Sequence, residues 1–368
     1  MTNAFVSRRE PGPPRPGPLS GVPFSVKDNI EVAGWPLSLG VHANAPVSSR
    51  TAPAVARLLD AGAELIGKTN LPPYGGGIET VNDVFGRTSN PYDRSRTVGG
   101  SSGGEAAAVA SGESRFGLGS DSGASVRLPA HFCGLAALKP TAGRVPVDGV
   151  VDDLGPIAAM SDPRTQVGVL ARSVADVALV LSIIEDRPRP GLGMPDFPKE
   201  GQSLFRKAPS LRVGLWLDDD VSAETASVVR AAAEVLGAEP VSIPRGGHEL
   251  TVAIWKSYGD GAVGYDVLRR WDAFREQWRR FGETCDLLLS PVFPDPAPLH
   301  GALTGAPDRT HYTNVHNLTG WPAATVRCGA SADGLPIGVQ VAARPWEDEV
   351  ALAAGGVLQR ALGGYVAP

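Results

Sequence analysis

Cysteine is scarce in this chain: three among 368 residues, Cys133, Cys285 and Cys328, far apart and never in a C-x-x-C spacing. So sparse and odd a count excludes a disulfide framework, offers no metal-ligand set, and fits a reducing, cytoplasmic compartment. Long apolar runs are missing too; none approaches the roughly 20 residues of a membrane-spanning helix. The opening MTNAFVSRREPGPPRPGPLS lacks the apolar core that a secretory signal needs. Nor is positive charge in excess. The 34 Lys and Arg against 39 Asp and Glu give a net charge of -5, with no dense basic stripe, which excludes electrostatically driven nucleic-acid binding. These absences lead to the expectation of a soluble cytoplasmic protein with neither nucleic-acid nor membrane partners.

What is present is ample core material, with 42% hydrophobic and 20% charged residues. Forty-five glycines and 33 prolines are spread among apolar segments and read as turns of a loop-rich fold. Residues 1–20 form an extended, Pro- and Arg-rich arm. Apolar alternation predicts a strand over 22–26, and a helix follows over 51–61, with Pro53 tolerated in its first turn. A strand at 64–67 and a helix at 105–110 come next. The Ser173-x-x-Asp176 start signal opens an apolar helix over 173–185. The Pro/Gly-rich stretch 187–209 reads as a linker or surface excursion. Beyond it LRVGLWL, PVSIP, DLLLSPVF, AATVRC and LPIGVQVAA read as strands, and 222–236 and 347–362 as helices. Strands and helices alternating in this way argue for an α/β layered fold around one large sheet.

Two glycine-serine clusters stand out, GGSSGGEAAAVASG (99–112) and GSDSGASVRLP (119–129). A flexible linker does not fit, because apolar, structured sequence continues directly from both. A phosphate-binding loop would need a lysine at the helix start, which neither cluster has, although a helix N-terminus beside glycines retains some affinity for anions. Gly100-Ser101-Ser102-Gly103-Gly104 matches G-x-S-x-G, but that elbow requires an apolar strand before it, and YDRSRTV is polar. Neither His311 nor His316 is marked as its base. There remains a serine nucleophile activated by lysine, which demands a lysine desolvated enough to hold a neutral amine. Lys27, closing the apolar strand in GVPFSVKDNI, is placed for this; an ion pair with Asp28 or a solvated strand end is the competing reading.

The ordered blocks GVPFSVKDNI, GKTNLP, SNPYDRSRTVGGSSGGEAAA, GLGSDSGASVRLPAHFCGLAALKPTAGRVP, DLLLSPVFP and GLPIGVQV resemble the amidase signature enzymes over roughly residues 17–345. The resemblance implies one large domain, 21–368, with a central mixed, mostly parallel β-sheet covered by helices on both faces. Within it, 21–146 would carry the catalytic core and 187–282 a variable substrate-pocket segment. It further implies a Ser–cis-Ser–Lys triad: Lys27 as base, Ser101 as bridging serine after a cis peptide bond from Gly100, and Ser125 as nucleophile. Ser102 competes for the bridging role but suits a supporting hydrogen bond better. Backbone N–H groups of Ser122, Gly123, Ala124 and Ser125 would form the oxyanion hole. No metal or cofactor is implied. The expected activity is hydrolysis of a linear, small-molecule carboxamide through an acyl-enzyme. The alternatives are acyl transfer to an amine, and the glutaminase-type subunit of an amidotransferase, against which Leu128 stands where that subgroup tends to have glutamine. A homodimer is the default assembly.

Three departures from the family pattern are visible. Ala124 replaces a usual glycine, Pro73 occupies a place where glutamate is frequent, and NAFV (3–6) looks like the end of a helical region most members carry. Asp121 and Arg127 read as structural, and Cys133 as a small core residue. Tyr74, Gly75 and Gly76 are candidate pocket residues. So are Trp271 and Trp278, which share one helical face with Phe274 and Phe281. A core face is the first reading of that stripe, and an aromatic lid over the acyl pocket the second.

Overall fold

Strands form where apolar alternation lets one ladder feed two cores, and the order in which they pair decides which chain ends meet. The computed structural model describes residues 2–10, 12–151, 162–186, 211–259, 263–304 and 307–368. The expected linker at 187–209 lies outside them, as does part of the 187–282 segment. The strands are β1 (Phe5–Arg8), β2 (Pro23–Lys27), β3 (Glu64–Thr69), β4 (Val81–Asn82), β5 (Gly86–Arg87), β6 (Phe116–Asp121) and β7 (Ala136–Lys139). They continue with β8 (Gln166–Ala171), β9 (Val213–Leu215), β10 (Glu239–Pro240), β11 (Leu287–Pro291), β12 (Ala323–Ala330) and β13 (Pro336–Ala343). Eleven of them build one sheet in the order β1-β3-β2-β6-β8-β7-β12-β13-β11-β9-β10, and β4 and β5 form a separate pair.

The sheet is mixed, as expected, but its predominance is antiparallel, which corrects the expectation of mostly parallel pairing. Among the described residues, parallel pairs occur at two places only, β2 with β3 and β6, and β9 with β10 and β11. The six other pairings in that sheet are antiparallel. Connection length accounts for two of the pairs. The turn between β12 and β13 is too short for anything but an antiparallel hairpin, whereas β2 reaches β3 through the crossover helix Pro53–Asp60.

Alternate residues of each strand feed different cores. Val169, Leu287, Leu289 and Val341 pack with Val55, Leu181, Val229 and Leu352 from four helices on one face. Leu170 and Ala137 pack on the other face with Val109, Val126 and Ala130, and Leu288 and Ala342 with Trp278 and Tyr312. Helices therefore cover both faces. Helix starts follow local chemistry: the Ser173 hydroxyl accepts the Asp176 N–H at 3.1 Å, and that of Ser222 the Thr225 N–H at 3.3 Å.

Two segment expectations change. NAFV is not the end of a helix; Phe5–Arg8 is a strand pairing antiparallel with β3, with Phe5 opposite Thr69, so the arm joins the sheet edge. PVSIP contributes only Pro240 to the strand, and the Val241 N–H just beyond it donates to the Leu215 carbonyl at 3.1 Å.

Candidate active site

Parallel strands present their carboxyl ends together, and in open α/β sheets that edge is where ligands bind. Here β2 ends at Lys27, and the neighbouring parallel β6 ends with Ser120 and Asp121. Ser101 and Ser102 precede the helix Gly103–Ala110, which packs close behind. The glycines permit that closeness: a Cβ at Gly104 would lie 2.4 Å from the Asn70 backbone nitrogen, and one at Gly100 would lie 2.8 Å from that of Glu79.

Lys27 and Ser101 are brought together. Lys27 Nζ lies 2.6 Å from Ser101 Oγ, both side chains are buried, and the Gly100–Ser101 peptide bond is cis. Lys27 Nζ also donates to Ser120 Oγ at 2.8 Å and to the Ser120 carbonyl at 3.4 Å. Asn29 Nδ2 donates to the same Ser120 hydroxyl at 3.0 Å. The Asp28 carboxylate, the competing partner weighed for Lys27, is engaged by Lys68 Nζ at 3.4 Å and by the N–H groups of Ser38 and Leu39. Burial pushes the Asp28 carboxyl up, and Lys68 together with those hydrogen bonds offsets part of that.

Ser125 sits half-buried on the turn between β6 and the helix Arg127–Phe132, and its carbonyl accepts the Ser102 N–H at 3.0 Å. Ser102 takes the supporting role expected of it: its hydroxyl donates to the Ser120 carbonyl at 3.3 Å. The turn is pinned from below. Arg127 Nε and Nη2 hold the two Asp121 carboxylate oxygens at 3.0 Å each, and Nη2 reaches the Gly123 carbonyl at 3.1 Å. Burial alone would raise the Asp121 pKa, but the Arg127 guanidinium and the Val126 N–H outweigh it and hold the carboxyl well below its usual range. Asp121 and Arg127 are fully buried, which makes them the structural pair expected. The N–H groups of Val126 and Arg127 go to Asp121 Oδ2. Those of Ser122, Gly123, Ala124 and Ser125 have no hydrogen-bond partner among the described residues. Ala124 packs with Leu128, Phe132 and Phe293, so its methyl is absorbed by an apolar cluster.

The pocket candidates divide. Gly75 lies directly against the pair: a Cβ there would be 3.6 Å from Ser101 Oγ and 3.7 Å from Lys27 Nζ. Tyr74 and Gly76 flank it and are exposed. Trp271 and Trp278 answer to the first reading, a core face, rather than to the aromatic lid. Both are buried among Trp216, Tyr312, Leu318 and Trp321, and Trp271 Nε1 donates to the Leu318 carbonyl at 2.6 Å. A stripe spaced by helical periods satisfied a core, which a flat hydrophobic count cannot tell from a lid. Cys133 is likewise a core residue, its thiol pushed up by burial.

Sequence reasoning missed Ser120, Asn29 and Glu105. The first two could have been found from the strand rule, since polar residues at the carboxyl ends of adjacent parallel strands converge. Glu105 is buried on the helix behind Ser101, and its carboxylate accepts from Ser25 and Thr69, each at 2.6 Å. Among the described residues no group of three or more His, Cys, Asp or Glu is placed to hold a metal ion.

A family model described as Amidase matches residues 5–245 and 256–352. A glutamyl-tRNA(Gln) amidotransferase subunit of Methanosarcina mazei is 33% identical over 92% of this chain and 84% of its own length. Among solved structures, 6-aminohexanoate cyclic dimer hydrolase complexed with substrate is 27% identical, with a TM-score of 0.80 over 94% of this chain and 86% of that one. The corresponding glutamyl-tRNA(Gln) amidotransferase subunit from Thermotoga maritima is 26% identical, with a TM-score of 0.86 over 100% of this chain and 90% of its own. With the family model spanning nearly the whole length, this chain belongs to the amidase signature family.

Proposed function

We propose that this chain hydrolyses the C–N bond of a linear carboxamide through an acyl-enzyme on Ser125. Neutral Lys27 takes the Ser101 proton, Ser101 takes that of Ser125, and Ser125 Oγ attacks the carbonyl carbon. Negative charge gathers on the carbonyl oxygen, which the N–H groups of Ser122 to Ser125 receive; one such donor is worth about 10²–10³ in rate. The proton returns along the same path to the leaving nitrogen, the C–N bond breaks, and water hydrolyses the ester to free Ser125. The single observation that supports this reading most is the 2.6 Å approach of Lys27 Nζ to Ser101 Oγ in a buried site. Lysine can serve as a base only if burial disfavours its charged form.

The test is a panel of p-nitroanilides of graded acyl size, with and without added amines. Release of p-nitroaniline that Ser125→Ala abolishes is expected, with free acid as the main product. Amide products dominating when amines are present would favour acyl transfer instead.

A second reading has its own support. Relatives such as the Methanosarcina mazei protein are amidotransferase subunits, which would make this chain a glutaminase-type subunit with protein partners. Ammonia release from glutamine by the isolated chain separates the two. No release above buffer, alongside turnover of anilides, favours the free-standing amidase; the reverse pattern favours the amidotransferase role.

A further inference from the structure

We propose that Ser120 is a positioning residue for the Lys27 base, holding its amine so that the lone pair faces Ser101 and receiving the ammonium that forms when the relay proton arrives. The inference rests on Ser125, Ser101 and Lys27 acting as proposed above.

A neutral amine has two N–H groups and one lone pair, and an ammonium has three N–H groups. The Ser120 carbonyl, 3.4 Å from Lys27 Nζ, can only accept, so it draws one N–H. Ser120 Oγ at 2.8 Å takes a second if its own proton points elsewhere. Asn29 provides that elsewhere: its Oδ1 lies 3.5 Å from Ser120 Oγ, and its Nδ2 donates to the same oxygen at 3.0 Å. Holding the amine's N–H groups against the Ser120 oxygens turns its lone pair toward Ser101 Oγ, which lies 2.6 Å away. When the proton transfers, the new N–H lies along the Ser101 contact and the two Ser120 oxygens stay where they are. Acceptors already aimed at a developing charge need no reorganisation at the moment of reaction.

The same residue ties the other parts of the relay together. Its carbonyl also accepts from the Ser102 hydroxyl at 3.3 Å, next to the bridging serine, and it lies five positions ahead of Ser125 on the same strand and turn. Ser120 is 3% exposed, so it acts through Lys27 rather than on a substrate.

The experiment measures inactivation of the full chain by a fluorophosphonate probe, separating kinact from KI, with thermal melts run in parallel. Ser120→Ala removes one hydrogen bond to a charged group and should lower kinact about 10- to 100-fold while KI stays within about twofold. Ser120→Thr, which restores the hydroxyl, should recover most of the rate. Should Ser120→Ala not fold, Asn29→Ala gives a second reading, with kinact expected to drop about 3- to 10-fold. Inactivation of Ser120→Ala at the wild-type rate overturns the proposal. So does a loss that only tracks the unfolded fraction and is not restored by threonine. Ser125→Ala is the control: if it is still inactivated, the nucleophile is misassigned and the failure belongs to the reaction, not to Ser120.

Discussion

Lys27 and Lys68 lie on adjacent parallel strands, Lys27 opposite Thr69 and Lys68 opposite Val26, and both are buried. Both act electrostatically on the buried Glu105 carboxyl, but their nearest described contacts differ. Lys68 Nζ faces the Asp28 carboxylate at 3.4 Å, while the hydrogen bonds of Lys27 run to Ser101 and Ser120. Burial pulls the Lys68 pKa down, and Asp28 pushes it back toward the charged form. A carboxylate stabilises an ammonium that burial would discharge; alcohols and a carbonyl do so far less. On the proposed relay, two lysines a rung apart would serve different tasks, Lys68 tying strands together through Asp28 and Lys27 giving up and taking back a proton.

The contrast can be broken by substituting each lysine. Lys27→Ala should lower the fluorophosphonate reaction rate about 10²–10⁴-fold, the worth of a positioned base, and leave the fold standing. Lys68→Ala should do the opposite, costing about 3–5 kcal/mol in urea unfolding because it strands a buried carboxylate, with the remaining folded protein still reactive. If Lys68→Ala removed the reaction and spared stability, the division of labour would be wrong. A control in the aromatic core is Trp278→Ala, expected to cost about 3–5 kcal/mol as an emptied core position without changing KI for the probe. A large rise in KI at unchanged stability would restore the lid reading.

The smallest effect sharpens the comparison, because Glu105 feels both lysines. Burial pushes its carboxyl up to about 8 from an ordinary 4.5, against the opposing pull of Ser25, Thr69, Lys27 and Lys68. A folded pKa above the unfolded one means that folding favours the uncharged acid. That stability is complete below pH 4.5 and is lost as pH rises to about 8. Glu105→Gln should therefore flatten the fall in Tm across that interval. An unchanged slope in the variant would show that Glu105 does not titrate there.

Much of this was legible in the chain before its structure. The strands at β2, β3, β11, β12 and β13 and the capped helices appear where alternation and start signals placed them, because those signals are local. Strand direction was not legible, since it depends on which strands become neighbours, and the short β12–β13 connection decides it only once that pair is recognised. At the site, Lys27 and Ser101 were found through ordered blocks of resemblance, not through periodicity. Ser120 escaped because a serine inside GLGSD carries no mark of its own; only the pairing of β6 with β2 brings it to Lys27. Trp278 was ambiguous for the converse reason, as helical spacing says which residues share a face but not what covers it.

The most direct test of the relay is to find where a fluorophosphonate attaches. After reaction, tryptic cleavage at Arg115 and Arg127 releases a peptide that contains Ser120, Ser122 and Ser125 together, and fragmentation by mass spectrometry locates the adduct within it. The relay predicts phosphonylation of Ser125 alone, formed far more slowly in Lys27→Ala. An adduct on Ser122, or on Ser101 in the preceding tryptic peptide 97–115, or equal rates of modification with and without Lys27, would contradict it.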